Sequence, residues 1–319
     1  MTTINIPNAY PVELSPPDLS TYAKGSDGVP YIWTFDSGAP GPHAMVSAIV
    51  HGNELSGAIA VDWLLNQDVR PSAGKLSFAF MNIAAYAAFD PGDPNATRWV
   101  DEDFNRVWDV AVLDGERDSV ELRRAREVRP VLDTVDFLFD IHTMQHLAPP
   151  LMMSGRHAKS KALAARIGVP ERVVGDHGHA AGRRMRDYQE FDDPASPKTA
   201  LLIECGQHWE AASEDLAKLS AVRFLEVVGM VPQGSIAVGG LPEARQRFFT
   251  VVEAVTIESD SFSFAREFTG GEIITEAGTL LGHDGDRPVV TPADNIMLVM
   301  PSMRLWKGQT AVRLAREDD

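Results

Sequence analysis

Four short stretches of this 319-residue chain hold the side chains best suited to chemistry. His51 and Glu54 form an H-x-x-E pair, Asp140 and His142 a D-x-H pair, and Asn82 and Glu204 each follow a short apolar run. An imidazole and a carboxylate three residues apart suit zinc, which takes nitrogen and oxygen ligands in tetrahedral geometry. His142 can supply a third protein ligand, and three ligands leave one position for water, the arrangement of a catalytic zinc. One Zn2+ per chain, held by His51, Glu54 and His142, is the expectation. Asp140 precedes His142 by two residues, so on a strand the two share a face and the carboxylate can steady the outer nitrogen of a ligand. Asn82 would stand behind the ligands in the same way. An H-x-x-E pair alone is a weak signal, and capping of the next helix by Asn53 or Glu54 is its simplest other explanation. A buried strand ending in Asp140-Ile141-His142 is harder to dismiss, because an unpartnered buried polar group costs about 1–3 kcal/mol.

Glu204 follows Ala200-Leu201-Leu202-Ile203. A carboxylate at the end of a core strand loses water, which raises its pKa. That suits a general base beside an activated water; a salt bridge to a nearby Arg is an equal reading. Arg98 and Arg106 flank Asp101, Glu102 and Asp103. They can clamp a substrate carboxylate in bidentate fashion, or pair with those acids at the surface. Cys205 reads as a small buried hydrophobe. His177 and His179 lie in a Gly-rich loop near Arg183, Arg184 and Arg186, and read as solvated. His146 is open between the rim of the site and the surface.

The elements that must position these groups follow from apolar patterning. An edge strand is expected near Val29 to Phe35. Buried strands are expected at Ala44 to Val50, Leu76 to Met81, Val135 to Ile141 and Thr199 to Ile203, each a short apolar run. Leu55 to Leu65, Glu116 to Leu132 and Lys159 to Ile167 have helical spacing, the second as a charged surface helix. A further helix, capped by Ser213, runs to about Val228. Asp90 to Asp103 reads as loop. Strands alternating with helices imply a sheet covered on both faces, and ligands bind where strand C-termini open into loops. If the strands are parallel, the four polar stretches converge on one mouth. From Ser235 onward, short alternating runs split by Gly and Pro turns imply a small antiparallel β unit. The expected division is an α/β domain over 1–234 and a small β domain over 235–319.

Net charge is −16, with 44% hydrophobic and 23% charged residues. That composition is globular. The acidic balance argues against nucleic-acid or anionic-membrane partners, whose phosphates select basic surfaces. An anionic ligand would need local Arg or Lys working against that field. One cysteine excludes an intrachain disulfide and fits a reducing cytoplasm. No basic head with an apolar core is visible in Met1 to Pro17, and no run is long enough to span a bilayer.

The order of these motifs resembles the succinylglutamate desuccinylase/aspartoacylase family, itself similar to zinc carboxypeptidases. The resemblance rests on His51-Gly52-Asn53-Glu54, Asn82, Arg98 with Asp103-Phe104-Asn105-Arg106, Asp140-Ile141-His142-Thr143 and Ile203-Glu204-Cys205-Gly206. Thr291-Pro292 through Met300-Pro301 and Lys307-Gly308-Gln309-Thr310-Ala311 extend it, so that it spans about residues 40 to 315. It implies a carboxypeptidase-like mixed sheet flanked by helices, with a small C-terminal all-β domain. It implies His51, Glu54 and His142 as zinc ligands and Glu204 as acid/base. Arg98, Asn105 and Arg106 would hold substrate or polarise its carbonyl. Two features depart from the family: Asn82 is followed by Ile83 rather than Pro, and neither the family's extra Arg before the catalytic Glu nor its C-terminal Tyr has a clear counterpart.

The expected activity is hydrolysis of the amide of a small N-acylated amino acid or amine, the substrate carrying a carboxylate. A metallocarboxypeptidase would use the same metal site, and a non-catalytic small-molecule binder is the reading from another class. A lipoyl-type carrier would need a Lys at a hairpin tip, which Ala293-Asp294-Asn295 lacks. Self-association is compatible with the chain, though no exposed stripe specifies it.

Overall fold

The computed structural model describes residues 10–26, 28–240 and 245–318. The stretch from Met1 to Pro17 therefore lies partly outside the described residues. The strands are β1 Ile32–Asp36, β2 His43–Ala48, β3 Lys75–Phe80, β4 Phe137–Met144, β5 Leu151–Met153, β6 Arg172–Gly175 and β7 Thr199–Gln207. The C-terminal part adds β8 Arg247–Thr256, β9 Phe262–Phe264, β10 Ile273–Ile274, β11 Leu280–Asp284, β12 Arg287–Val290, β13 Ile296–Val299 and β14 Thr310–Glu317. The helices are α1 Leu55–Asn66, α2 Ile83–Ala87, α3 Val110–Leu113, α4 Val120–Leu132, α5 Ala158–Ile167 and α6 Ala211–Val227.

The large sheet has the order β1-β3-β2-β4-β7-β5-β6-β8-β14-β13-β10. Its centre, β3, β2, β4 and β7, is mutually parallel. All six residues of β2 are buried, as a strand covered on both faces requires. Alternation sorts the side chains. Val46, Phe139, Ile141, Leu201 and Ile203 pack with α1, α5 and α6 on one face. Met45, Leu138 and Ala200 pack with Phe104, Trp108 and the apolar side of α4 on the other. Asp140, His142 and Glu204 continue the even-numbered series of β4 and β7, so they fall on the α4 face.

Local chemistry explains the helix ends. Ser119 accepts a hydrogen bond from Leu122 N at 3.0 Å and opens α4. Gly168, at φ 75°, closes α5 by donating to Ala164 O. The expectation for the last helix is corrected. α6 starts at Ala211 after Glu210, and Ser213 sits inside its first turn, its hydroxyl donating back to Glu210 O. The strands β4 and β7 also run past the expected ends, through Met144 and Gln207, because parallel pairing continues to His142 opposite Glu204. The short strands β5 and β6 and the five-residue α2 were not expected.

Hydrogen bonding crosses residue 234: β6 pairs in parallel with β8, and β8 pairs antiparallel with β14. β9, β11 and β12 form a separate antiparallel sheet. Val255, Leu281, Val289, Ile296 and Leu314 form a core of their own there. Among the described residues, no helix is long and apolar enough to cross a membrane.

Candidate metal centre and active site

The parallel register brings the expected groups together. Strand β2 delivers His51 and Glu54 in the turn into α1, and β4 delivers Asp140 and His142 beside them. The two imidazoles, inclined at 69° to each other, both turn Nδ1 toward Glu54. His51 Nδ1 lies 2.7 Å from Glu54 Oε1, and His142 Nδ1 lies 2.9 Å from Glu54 Oε2. Each outer nitrogen meets an aspartate: His142 Nε2 lies 2.8 Å from Asp140 Oδ2, and His51 Nε2 lies 3.0 Å from Asp103 Oδ1. Asp140 is steadied in turn by Ser47, which donates from its hydroxyl at 2.7 Å. An aspartate behind each imidazole fixes ring orientation and ring tautomer.

The donor set fits a divalent cation. One ligand atom from each of His51, Glu54 and His142 can be chosen so that all lie within 4.8 Å of one another, and all three residues are buried. Burial alone would raise the Glu54 carboxyl, yet the imidazoles of His51 and His142 hold it well below the usual range. Burial opposes a charge on His142, yet Asp140 and Glu54 lift its pKa well above the ordinary value. Both directions describe a centre that favours positive charge.

Glu204 sits across from His142 on the neighbouring strand. Its Oε2 is shielded from solvent and accepts no hydrogen bond. Burial pushes its carboxyl up to about 8, against the nearby His142 and reinforced by the charge of Glu54. A buried acceptor without a donor is uncommon in native proteins and asks for an explanation. The alternative of a salt bridge is not what the structure has: no Arg or Lys among the described residues pairs with Glu204.

The arginine loop folds over this centre. Arg98 donates from Nη1 to Glu54 Oε1 at 3.1 Å, and its Nη2 lies 3.0 Å from His51 Nε2. Gly52 permits the approach, because a Cβ there would lie 2.5 Å from Thr97 O; its N–H donates to Arg98 O. Arg106 is enclosed. Its Nη1 donates to Asn105 O at 2.7 Å and its Nη2 lies 3.9 Å from Asp103 Oδ2. Asn105 is buried and accepts from Met185 N at 2.9 Å.

Asn82 stands further out. It caps α2 and donates from Nδ2 to Glu121 Oε1 at 3.0 Å. Glu121 corrects the reading of α4 as a surface helix. Its carboxylate is fully buried and accepts the backbone N–H groups of Val100, Asp101 and Glu102 at 2.7, 3.1 and 3.2 Å. It anchors the loop that carries Arg98. Sequence reasoning also missed Asp103, which both caps the turn into Asn105 and backs His51. An acidic residue just before a short helical turn was the available signal. Thr143 is another: its N–H donates to Glu54 Oε2 at 3.3 Å, and its hydroxyl bonds His208 Nδ1 at 2.7 Å. Burial pushes His208 down to about 3, so it is a neutral imidazole. Cys205 is buried, and burial drives its thiol well above the ordinary value. That fits a packing role rather than a nucleophile.

The parallel centre of the mixed sheet thus holds two imidazoles and a glutamate beside an acid with one oxygen unpartnered. The chain belongs to the succinylglutamate desuccinylase/aspartoacylase family, whose catalytic-domain model matches residues 40–225. The fold is similar to that of succinylglutamate desuccinylase from Vibrio parahaemolyticus, with 17% identity, 91% of this chain and 87% of that one covered, and a TM-score of 0.66. It is also similar to succinylglutamate desuccinylase/aspartoacylase from Rhodobacter sphaeroides, at 17% identity, 88% and 87% coverage and a TM-score of 0.60. The product-bound ectoine utilization protein EutE from Ruegeria pomeroyi matches at 18% identity, 87% and 86% coverage and a TM-score of 0.59. No curated protein matches the chain.

Proposed function

We propose that this protein is a zinc-dependent deacylase that hydrolyses the amide bond of a small N-acylated amino acid or amine in the cytoplasm. The observation that carries the reading is the pairing, on adjacent parallel strands, of a His51–Glu54–His142 ligand set with a shielded Glu204 oxygen that has no donor of its own. Zinc bound by that set would supply a Lewis acid and bring the pKa of water toward neutrality. Glu204 takes the proton of the attacking water and returns it to the leaving amine, the role its shielded, unpartnered oxygen leaves open to it. Arg98 aims its guanidinium at the same centre and stabilises the oxyanion that forms from the carbonyl. Arg106, backed by Asn105, holds a substrate carboxylate. The products are a carboxylate and a free amine. Asp140 and Asp103 keep the imidazoles turned inward, and Asn82 with Glu121 keeps the arginine loop in place.

The test is elemental analysis of protein purified without chelator, together with amine release from a panel of N-acyl amino acids and acylated diamines. One zinc per chain and amine release that depends on Glu204 are the expected results. A chain that binds no zinc, or releases no amine from any member of the panel, would overturn the reading.

A further inference from the structure

We propose that Arg304, carried by the connection between β13 and β14, binds an anionic group of the substrate at the mouth of the metal centre and so sets which N-acyl compounds are accepted. The inference rests on the deacylase reading above and assigns a specificity role to a residue outside the segment matched by the family's catalytic-domain model.

The geometry begins with Trp99. Its indole has two guanidiniums against it: Arg98 Cζ at 5.6 Å and Arg304 Cζ at 4.9 Å from the ring centroid. Arg98 is the residue that reaches Glu54 and His51, so Arg304 shares its indole with a residue that touches the ligand set. The charges Arg304 feels most are those of Arg98, Asp103, Arg106 and Glu54, all groups of the site. Burial, then the neighbouring Arg98, lower its pKa to about 9. Its own loop is braced by a hydrogen bond from Arg304 N to Ser302 Oγ at 3.0 Å.

Arg304 is also unpaired. Among the described residues no carboxylate lies within ion-pairing distance of its guanidinium, although the chain has 45 acidic residues and a net charge of −16. Three arginines, 98, 106 and 304, therefore approach one centre, and only two of them have carboxylates within 4.0 Å. Like charges gathered in a partly desolvated space repel, and an unpaired one gains most from an incoming anion. A second unpartnered group feels the charge of Arg304: His146 Nε2 is shielded and makes no hydrogen bond. Burial and then Arg304 itself hold His146 below its ordinary pKa, so it is a neutral ring with a nitrogen to offer. A carboxylate entering between Arg304 and His146 would satisfy both. Since Arg106 lies on the Asp103 side of the same centre, a substrate bearing two carboxylates can engage both arginines at once.

The test is calorimetric titration of succinate, and separately of acetate, into zinc-loaded and metal-free protein, comparing wild type with Arg304→Gln and Arg304→Lys. Succinate should bind Arg304→Gln about 10–100-fold more weakly, the range of one lost charge-assisted hydrogen-bonding group. Arg304→Lys should recover part of the loss, and acetate, which Arg106 alone can hold, should change little. Arg304 makes no ion pair but packs on Trp99, so the variants should fold and melt within a few degrees of the wild type. Equal succinate affinity in wild type and Arg304→Gln overturns the inference, as does a wild type that does not bind succinate. Zinc content is measured on the same samples. A protein that takes up zinc but shows no Arg304 dependence sinks this inference alone, whereas one that takes up none sinks the deacylase reading.

Discussion

Two buried clusters of charge lie in the α/β part. Around Arg184, every carboxylate oxygen is answered: Asp176 Oδ1 and Oδ2 accept from Arg184 Nη2 and Nη1 at 2.7 and 2.9 Å, Asp187 Oδ2 from Arg184 Nε at 2.6 Å, and Asp187 Oδ1 from Arg186. Around Glu54, the donors gather on Glu54, Asp103 and Asp140, and Glu204 keeps one oxygen bare. In the first cluster every carboxylate oxygen has a donor, although Arg186 Nε and Arg313 Nε make no hydrogen bond, and the paired carboxylates brace the chain. The pKa directions agree: Asp187 is pulled down to about 2 by Arg186 and Arg184 against its burial, while burial wins at Glu204. Desolvation is present in both, so what separates architecture from chemistry here is whether the carboxylate was given a donor.

The contrast can be broken by substitution. Glu204→Gln should lower turnover by about 10²–10⁴-fold, the general-base range, while leaving zinc content and melting temperature close to wild type. A variant with wild-type rates would place Glu204 in the architectural class. Asp176→Ala should do the reverse, costing about 3–5 kcal/mol in denaturant unfolding because it strands a buried guanidinium, with zinc binding retained in the folded fraction. Zinc at about 100 times its dissociation constant should raise stability by about 2.7 kcal/mol, and His51→Ala should abolish that gain. Glu121→Gln should destabilise by about 1.5–3 kcal/mol, since three backbone donors lose a charged acceptor. It should also lower kcat, because the loop bearing the oxyanion-stabilising Arg98 is released.

A further effect is in pH. Glu204 has a folded pKa raised from 4.5 to about 8 in the metal-free protein. Its contribution to stability is therefore full below about 4.5 and lost as pH rises through about 8. The melting temperature of metal-free wild type should fall relative to Glu204→Gln across that window. Parallel profiles for the two proteins would show that the carboxyl is not held neutral by burial.

The parallel centre of the sheet was legible because β2, β4 and β7 are continuous apolar runs, and each ends in a polar residue that has no business in a core. His51, Glu54, Asp140, His142 and Glu204 announced themselves in that way. Glu121 did not. On α4 it is one acid among many alternating charges, and only the fold shows the three amides it serves. Asp103 was masked similarly, as one of three acids between two arginines. Arg304 carried no local signal, because its meaning comes from Trp99, some 200 residues earlier in the chain. The strands β5 and β6 were missed for a plainer reason: three or four residues carry too few side chains to display a period.

The unbroken run of strands from β1 to β10 has a further effect on traffic through the site. A ribbon stitched edge to edge offers no crease about which one half could swing away from the other. Opening then falls to the rim, to the stretch His177–Gly182 lying against Arg106 and to the connection that bears Arg304. Molecules would enter past two short flaps on a fixed frame, so the width of the doorway, more than any large motion, would limit what this protein can cut.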